Sequence, residues 1–87
     1  MIATQIEARV EAVWKEMLNV EGIAPDQSFF EAGGDSLLMI DMLFRLNSEL
    51  GVEIDPGFLF EDPTLHGFSA LIAASQESYE PAETGAI

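Results

Sequence analysis

Gly33-Gly34-Asp35-Ser36-Leu37-Leu38-Met39-Ile40-Asp41-Met42-Leu43-Phe44-Arg45-Leu46, running on through Asn47-Ser48-Glu49-Leu50 to Gly51, reads as one helix with both ends marked. Asp35 is a good N-cap, Ser36 opens the first turn, and Gly51 is a left-handed stop after Leu50. At about 100° per residue, Met39, Met42, Leu43, Leu46 and Leu50 share a face, with Leu38 at its margin, and that face joins a core. Leu37, Ile40 and Phe44 fall at i, i+3 and i+7 on a second side, bordering Ser36. Asp41, Arg45 and Ser48 form a polar strip between the two. A helix with one buried face does not need the second stripe. Either the preceding loop or a short third helix covers it, or it is a contact surface for another protein, or both hold, with Leu37 partly covered and Ile40 exposed.

Outward from this helix the rest of the chain falls into place. Thr4 and Glu7 fit a capping box, and Ile6, Val10, Val13, Trp14, Met17 and Leu18 recur at helical spacing to about Asn19. Glu11–Lys15 and Asp41–Arg45 are spaced as i,i+4 surface pairs. Between Val20 and Asp35 the periodicity stops, and Gly22, Pro25, Ser28, Gly33 and Gly34 mark a long loop, ordered by Ile23, Phe29 and Phe30. Val52, Ile54 and Pro56 make a connector, and Phe58 to Glu61 make a single helical turn. Thr64 caps a last helix whose buried stripe is Leu65, Phe68, Leu71 and Ile72. After Gln76 the chain turns polar and small, so residues 1–76 read as one domain and 77–87 as a flexible acidic tail. The expected fold is all-α: a small four-helix bundle, three main helices and one short one, with a long ordered first loop.

The 87 residues include 16 acidic side chains, 3 Lys or Arg and no cysteine, for a formal charge of −13. One core of modest size is what such a length supports. The charge excludes most sequence-independent nucleic-acid binding, disfavours anionic membranes, and favours basic patches on protein partners. Without cysteine there are no disulfides, thiolate metal sites or cysteine nucleophiles, which suits a reducing cytoplasm. The N-terminus has neither a basic nor an apolar region of a secretory signal, and the apolar run Leu37-Leu38-Met39-Ile40 is far below the roughly 20 residues of a membrane span.

The chemistry concentrates at Gly33-Gly34-Asp35-Ser36-Leu37. The glycines free the backbone and remove bulk, so that another protein can approach closely. A group attached to Ser36 would lie at the positive end of the helix dipole among unpaired N–H groups, a favourable place for a phosphate. The plain alternative is a helix cap after a glycine hinge. Gly34-Asp35-Ser36-Leu37 also spells the signature of GDSL-type hydrolases. Those enzymes set it after a strand in a much larger α/β domain and add an Asp-x-x-His, and this chain has neither. A nucleophilic serine needs a base, and the single histidine, His66, reads as a solvent-facing residue with no second His or Cys to make a metal site. Trp14 belongs to the core, and Glu61 and Asp62 favour the start of the last helix through its dipole.

With these residues in view, the chain resembles the peptidyl carrier (thiolation) domains of nonribosomal peptide synthesis. The resemblance runs from about Ile6 to Ile72, through Asp26-Gln27-Ser28-Phe29-Phe30-Glu31-Ala32-Gly33-Gly34-Asp35-Ser36-Leu37, Leu50-Gly51-Val52 and Leu59-Phe60-Glu61-Asp62-Pro63-Thr64-Leu65. It implies a four-helix bundle that is not an enzyme, with no catalytic residues and no metal of its own. It also implies a Ser36 that receives 4′-phosphopantetheine from coenzyme A through a Mg²⁺-dependent phosphopantetheinyl transferase. Gly34, Asp35 and Leu37 would flank the arm, and Leu37, Ile40, Phe44 and Phe58 would touch partners. Those partners would be the transferase, an adenylating or loading enzyme, and downstream condensation or tailoring enzymes of secondary-metabolite biosynthesis. The carrier would be a cytoplasmic monomer that holds aminoacyl or peptidyl groups as thioesters. The chain departs from the family at Ala32, commonly Leu, and at Asp35, often His. Asp is also frequent in stand-alone, aryl, fatty-acid and polyketide carriers, so an acyl carrier is the neighbouring alternative. The double glycine and Phe29-Phe30 lean towards the peptide branch.

Overall fold

In the computed structural model, which describes residues 3–78 and side chains as far as residue 76, the described residues form four helices and no strand. They are α1 (Ala3–Leu18), α2 (Ser36–Leu50), α3 (Gly57–Glu61) and α4 (Leu65–Ser78). α1 packs against α2 and α4, and α3 against α4. Ile6, Val10, Val13 and Trp14 of α1 meet Met42, Leu43 and Leu46 of α2 and Leu65, Phe68 and Ile72 of α4 in one core. Trp14 is its hub, stacked on Phe68 at 6.0 Å and meeting Phe29 edge-on at 5.1 Å. Burying so many large side chains in so short a chain is what holds the bundle.

Several local expectations change. α1 is already helical at Ala3, so Thr4 lies inside the helix and its cap falls outside the described residues. Glu7 turns away from the helix start to His66 Nδ1 on α4, 3.0 Å away. A capping box is a short pattern of common residues and is easily matched by chance. The Glu11–Lys15 and Asp41–Arg45 pairs are absent among the described residues. Arg45 instead reaches Glu16 on α1 and Glu49 one turn along α2, whose other oxygen is 3.6 Å from Arg9. Its guanidinium pKa is raised by the hydrogen bonds to Glu16 and then Glu49. Two of the three cations are thus spent on a clasp between α1 and α2. α4 runs two residues past its expected end at Gln76, and the rest of the expected tail, 79–87, lies outside the described residues.

The long loop is fastened to the start of α4. Phe29 N–H donates to Pro63 O (2.8 Å), Leu65 N–H to Gln27 O (3.1 Å) and His66 N–H to Pro25 O (2.8 Å), around an isolated bridge between Ser28 and Thr64. Thr64 caps α4 as expected, its Oγ1 accepting from Gly67 N–H at 3.0 Å. Asp62 accepts from the backbone and hydroxyl of Thr64, and these hydrogen bonds hold its carboxyl below the usual carboxylate range. Asp62 therefore acts through direct hydrogen bonds rather than through the helix dipole alone. A side chain at position 67 would strike the Asp62 carboxylate and push it from its place against Thr64.

One buried hydroxyl has no partner among the described residues. Ser69 on α4 is 1% exposed and its Oγ makes no hydrogen bond, leaving a desolvated polar group in the core. Ser69→Ala is expected to stabilise the fold by about 1 kcal/mol, the low end of the cost of an unsatisfied buried group. Urea unfolding measures it, and a loss of stability would show that the hydroxyl is satisfied in solution.

Candidate functional site at the start of α2

α2 begins as its sequence indicates. Asp35, in extended conformation, accepts from Leu38 N–H at 2.9 Å, and Gly51 closes the helix at φ 69 with its N–H on Asn47 O. Ser36 is the first helical residue and is exposed. The first N–H groups of a helix have no partner within it. At α4 loop carbonyls and Thr64 take those groups. At α2 the Asp35 side chain takes Leu38 N–H and its carbonyl takes Met39 N–H, while the N–H groups of Ser36 and Leu37 have no acceptor among the described residues. The two long helices that begin inside the chain therefore differ: α4 starts sealed and α2 starts open, with a hydroxyl at its electropositive tip.

The two glycines are required inside the protein rather than to make room for a partner. Gly33 adopts φ 115, a conformation in which a side chain is strained. Gly34 lies flat on the Phe29 ring, and a Cβ there would sit 2.2 Å from Phe29 Cε2. Backbone bonds complete the turn, with Gly34 N–H on Phe29 O (2.9 Å) and Gly33 N–H on Phe30 O (3.2 Å). Phe29, fully buried against Trp14, thus sets where the loop ends and α2 begins. The same geometry answers the hydrolase alternative. The Gly34-Asp35-Ser36-Leu37 motif follows a loop rather than a strand, Asp35 is engaged as a cap, and His66 is held by Glu7.

The second stripe of α2 stands in solvent: Leu37 is 76% exposed, Ile40 58% and Phe44 78%. Neither the loop nor α3 covers it, and Leu37 is not the partly covered residue its position suggested. Phe58 is partly buried against the core, whereas Phe60, two residues on, is 66% exposed and stacks on Phe30 at 6.4 Å. A five-residue helix is too short for periodicity to tell which of its aromatic rings turns outward. Among the described residues no group of His, Asp or Glu is arranged to hold a metal ion, and no helix is long and apolar enough to cross a membrane.

The described residues thus form a short helical bundle with an open helix start and a solvent-facing serine at it, an arrangement suited to presenting an attached group. Comparison with known proteins makes the assignment specific. Residues 8–72 match the family model described as "Phosphopantetheine attachment site", and the chain belongs to that family. It is 39% identical over 75 residues, 86% of its length, to polyketide synthase PksN of Bacillus subtilis. It is 37% identical over 76 residues, again 86% of its length, to gramicidin S synthase 2 of Brevibacillus brevis. The chain spans 1% of the length of the first relative and 2% of the second. Among solved structures it is similar to that of the phosphopantetheine transferase Sfp in complex with coenzyme A and a peptidyl carrier protein, at 28% identity and a TM-score of 0.73, covering 79% of this chain and 90% of that one. The chain is therefore a carrier domain of the nonribosomal peptide and polyketide type, whose cofactor is 4′-phosphopantetheine from coenzyme A. The open, electropositive start of α2 fits a phosphodiester on an exposed hydroxyl.

Proposed function

We propose that Ser36 is the attachment residue and that the domain carries aminoacyl or peptidyl groups as thioesters between biosynthetic enzymes. The observation that carries this reading is the exposed Ser36 hydroxyl at the start of α2, which, unlike the start of α4, leaves backbone donors free. In the transfer, Ser36 Oγ forms a bond to the pantetheine-side phosphorus of coenzyme A, the adenosine bisphosphate half leaves, and the hydroxyl proton passes to the transferase. The arm supplies the thiol that this cysteine-free chain lacks. Asp35 fixes the first turn of α2, and the free N–H groups of Ser36 and Leu37 would be available to a phosphodiester on Ser36. Incubation with coenzyme A, Mg²⁺ and a broad-specificity transferase tests the reading: intact mass rises by one phosphopantetheine. No adduct on folded protein would overturn it.

A polyketide acyl carrier is the second reading, favoured by the 39% identity to a polyketide synthase segment. Loading by an adenylating enzyme separates the peptide reading from loading by an acyltransferase. Either way the carrier is a substrate of partner enzymes, acting as a monomer in the cytoplasm.

The exposed stripe supports a role for Leu37, Ile40 and Phe44 in holding those partners beside Ser36. Ile40→Asp and Phe44→Asp are each expected to lower kcat/KM of pantetheinylation about tenfold, the effect of losing a moderate apolar contact, while Tm stays put. A large fall in Tm would instead mean that these side chains belong to the core.

A further inference from the structure

Between Ser28 and Gly34 the long loop makes a single helical turn that is capped at both ends. Ser28 Oγ accepts from the N–H groups of Phe30 (3.0 Å) and Glu31 (3.5 Å), and a Glu31 carboxylate oxygen accepts in return from Ser28 N–H at 3.3 Å. This is the reciprocal pairing of a capping box, set within the loop rather than at the start of α1. Ala32 N–H on Ser28 O (3.0 Å) closes the turn. At its far end Gly33, at φ 115, donates to Phe30 O and Gly34 donates to Phe29 O, the two crossed bonds of a Schellman stop. The contact that accompanies such a stop is Gly34 lying against the Phe29 ring.

One turn of helix does not hold itself, because several residues are fixed for a single hydrogen bond. Here the Phe29 ring anchors one point of the turn in the core, and Phe29 N–H on Pro63 O ties its first residue to the approach to α4. The box and the stop fix the remainder, up to Gly34, two residues before Ser36. Glu31 is exposed and Ser28 half-buried, and neither belongs to the core. Their side chains serve the turn rather than the bundle.

We propose that Ser28 and Glu31 are positioning residues for the modification of Ser36: their reciprocal hydrogen bonds lock the turn whose far end delivers Ser36 to the transferase. The inference rests on Ser36 as the attachment residue. It assigns Glu31 the role of a hydrogen-bond acceptor, which an amide oxygen fills as well as a carboxylate does. It also separates orientation from docking. The exposed stripe of Leu37, Ile40 and Phe44 belongs to α2, whose own cap is Asp35, so loosening the turn misaligns the hydroxyl without removing the stripe.

The test follows pantetheinylation of the full chain by intact mass, with coenzyme A, Mg²⁺ and a broad-specificity transferase, and amide exchange on the same variants. Loss of a cap shifts such a turn about fivefold. Ser28→Ala and Glu31→Ala should therefore each lower kcat about fivefold with KM little changed, and speed exchange at Gly33 and Gly34 by a similar factor. Glu31→Gln and Ser28→Thr should restore both readouts. The double alanine variant should be no slower than either single one, since the two side chains act as a unit. Glu31→Gln as slow as Glu31→Ala, or a rise in KM alone, would overturn the proposal, because the carboxylate would then be a charge contact with the transferase. Exchange quickened throughout α1 and α4 would also overturn it, the pair then supporting the whole bundle, as would alanine variants that match wild type. A wild-type chain that takes no adduct fails the attachment reading instead, and exchange at Gly33 and Gly34 still decides whether the pair locks the turn.

Discussion

Ser36→Ala is expected to leave the chain folded and to end its modification: with coenzyme A, Mg²⁺ and transferase, the wild-type mass should shift completely and the variant's should not move at all. The substitution removes one exposed oxygen from the first turn of α2, and no hydrogen bond in the described structure depends on it. The cap on that turn is Asp35, through its bond to Leu38 N–H, so the helix start survives. Serine and alanine differ little in helix propensity, and an exposed substitution clear of caps and core stays within about 0.5 kcal/mol. Circular dichroism and Tm should therefore match wild type within error. Ser36→Thr makes a sharper comparison. It retains a hydroxyl but adds a methyl beside it, so it should accept the arm more slowly than wild type rather than not at all. An adduct on the Ser36→Ala chain would place the attachment elsewhere and undo the functional reading.

Phe29→Ala is expected to have the largest effect on stability, a loss of about 3–5 kcal/mol in urea unfolding, which is a large part of what so small a domain possesses. Phe29 is fully buried, meets Trp14 edge-on at 5.1 Å and supports both Gly34 and Phe30. Removing the ring opens a cavity under the loop and frees the turn that delivers Ser36 to the tip of α2. Modification should slow as well, even at temperatures where the variant is still folded. Phe29→Leu keeps part of the volume and separates the two effects. It should cost less stability than Phe29→Ala yet still loosen the loop, visible as faster amide exchange at Gly33 and Gly34, whose N–H groups bond to Phe30 O and Phe29 O. A loss under about 1 kcal/mol for Phe29→Ala would mean that the backbone bonds to Pro63, Gln27 and Pro25 hold the loop without the ring.

The contrast between the two variants reflects how the site is built. On the proposed reading the chemistry belongs to one exposed side chain, whose replacement is expected to cost little structure. Its position is set by a buried ring several residues away in sequence, whose loss is expected to be costly. Both parts are present in Asp26-Gln27-Ser28-Phe29-Phe30-Glu31-Ala32-Gly33-Gly34-Asp35-Ser36-Leu37, but their division of labour shows only in the folded loop.

The sequence by itself determined the helices, the break between Val20 and Asp35, and the candidacy of Ser36. These are written in local signals: a 3.6-residue apolar period, Asp35 at an N-cap, Gly51 at a left-handed stop, Thr64 at the start of α4. Each acts within a turn or two of chain, so each can be read without knowing what packs against it. Tertiary structure alone decided that Leu37, Ile40 and Phe44 stay in solvent, that Phe60 rather than Phe58 turns outward, and that Arg45 chooses Glu16 and Glu49 over Asp41. It also decided that Gly34 answers to Phe29, and that Pro25 and Gln27 seal α4 while α2 is left open. Those outcomes depend on where a loop and a five-residue helix come to rest against elements distant in the chain. No pattern along a single stretch records that, because burial and pairing are properties of two surfaces meeting.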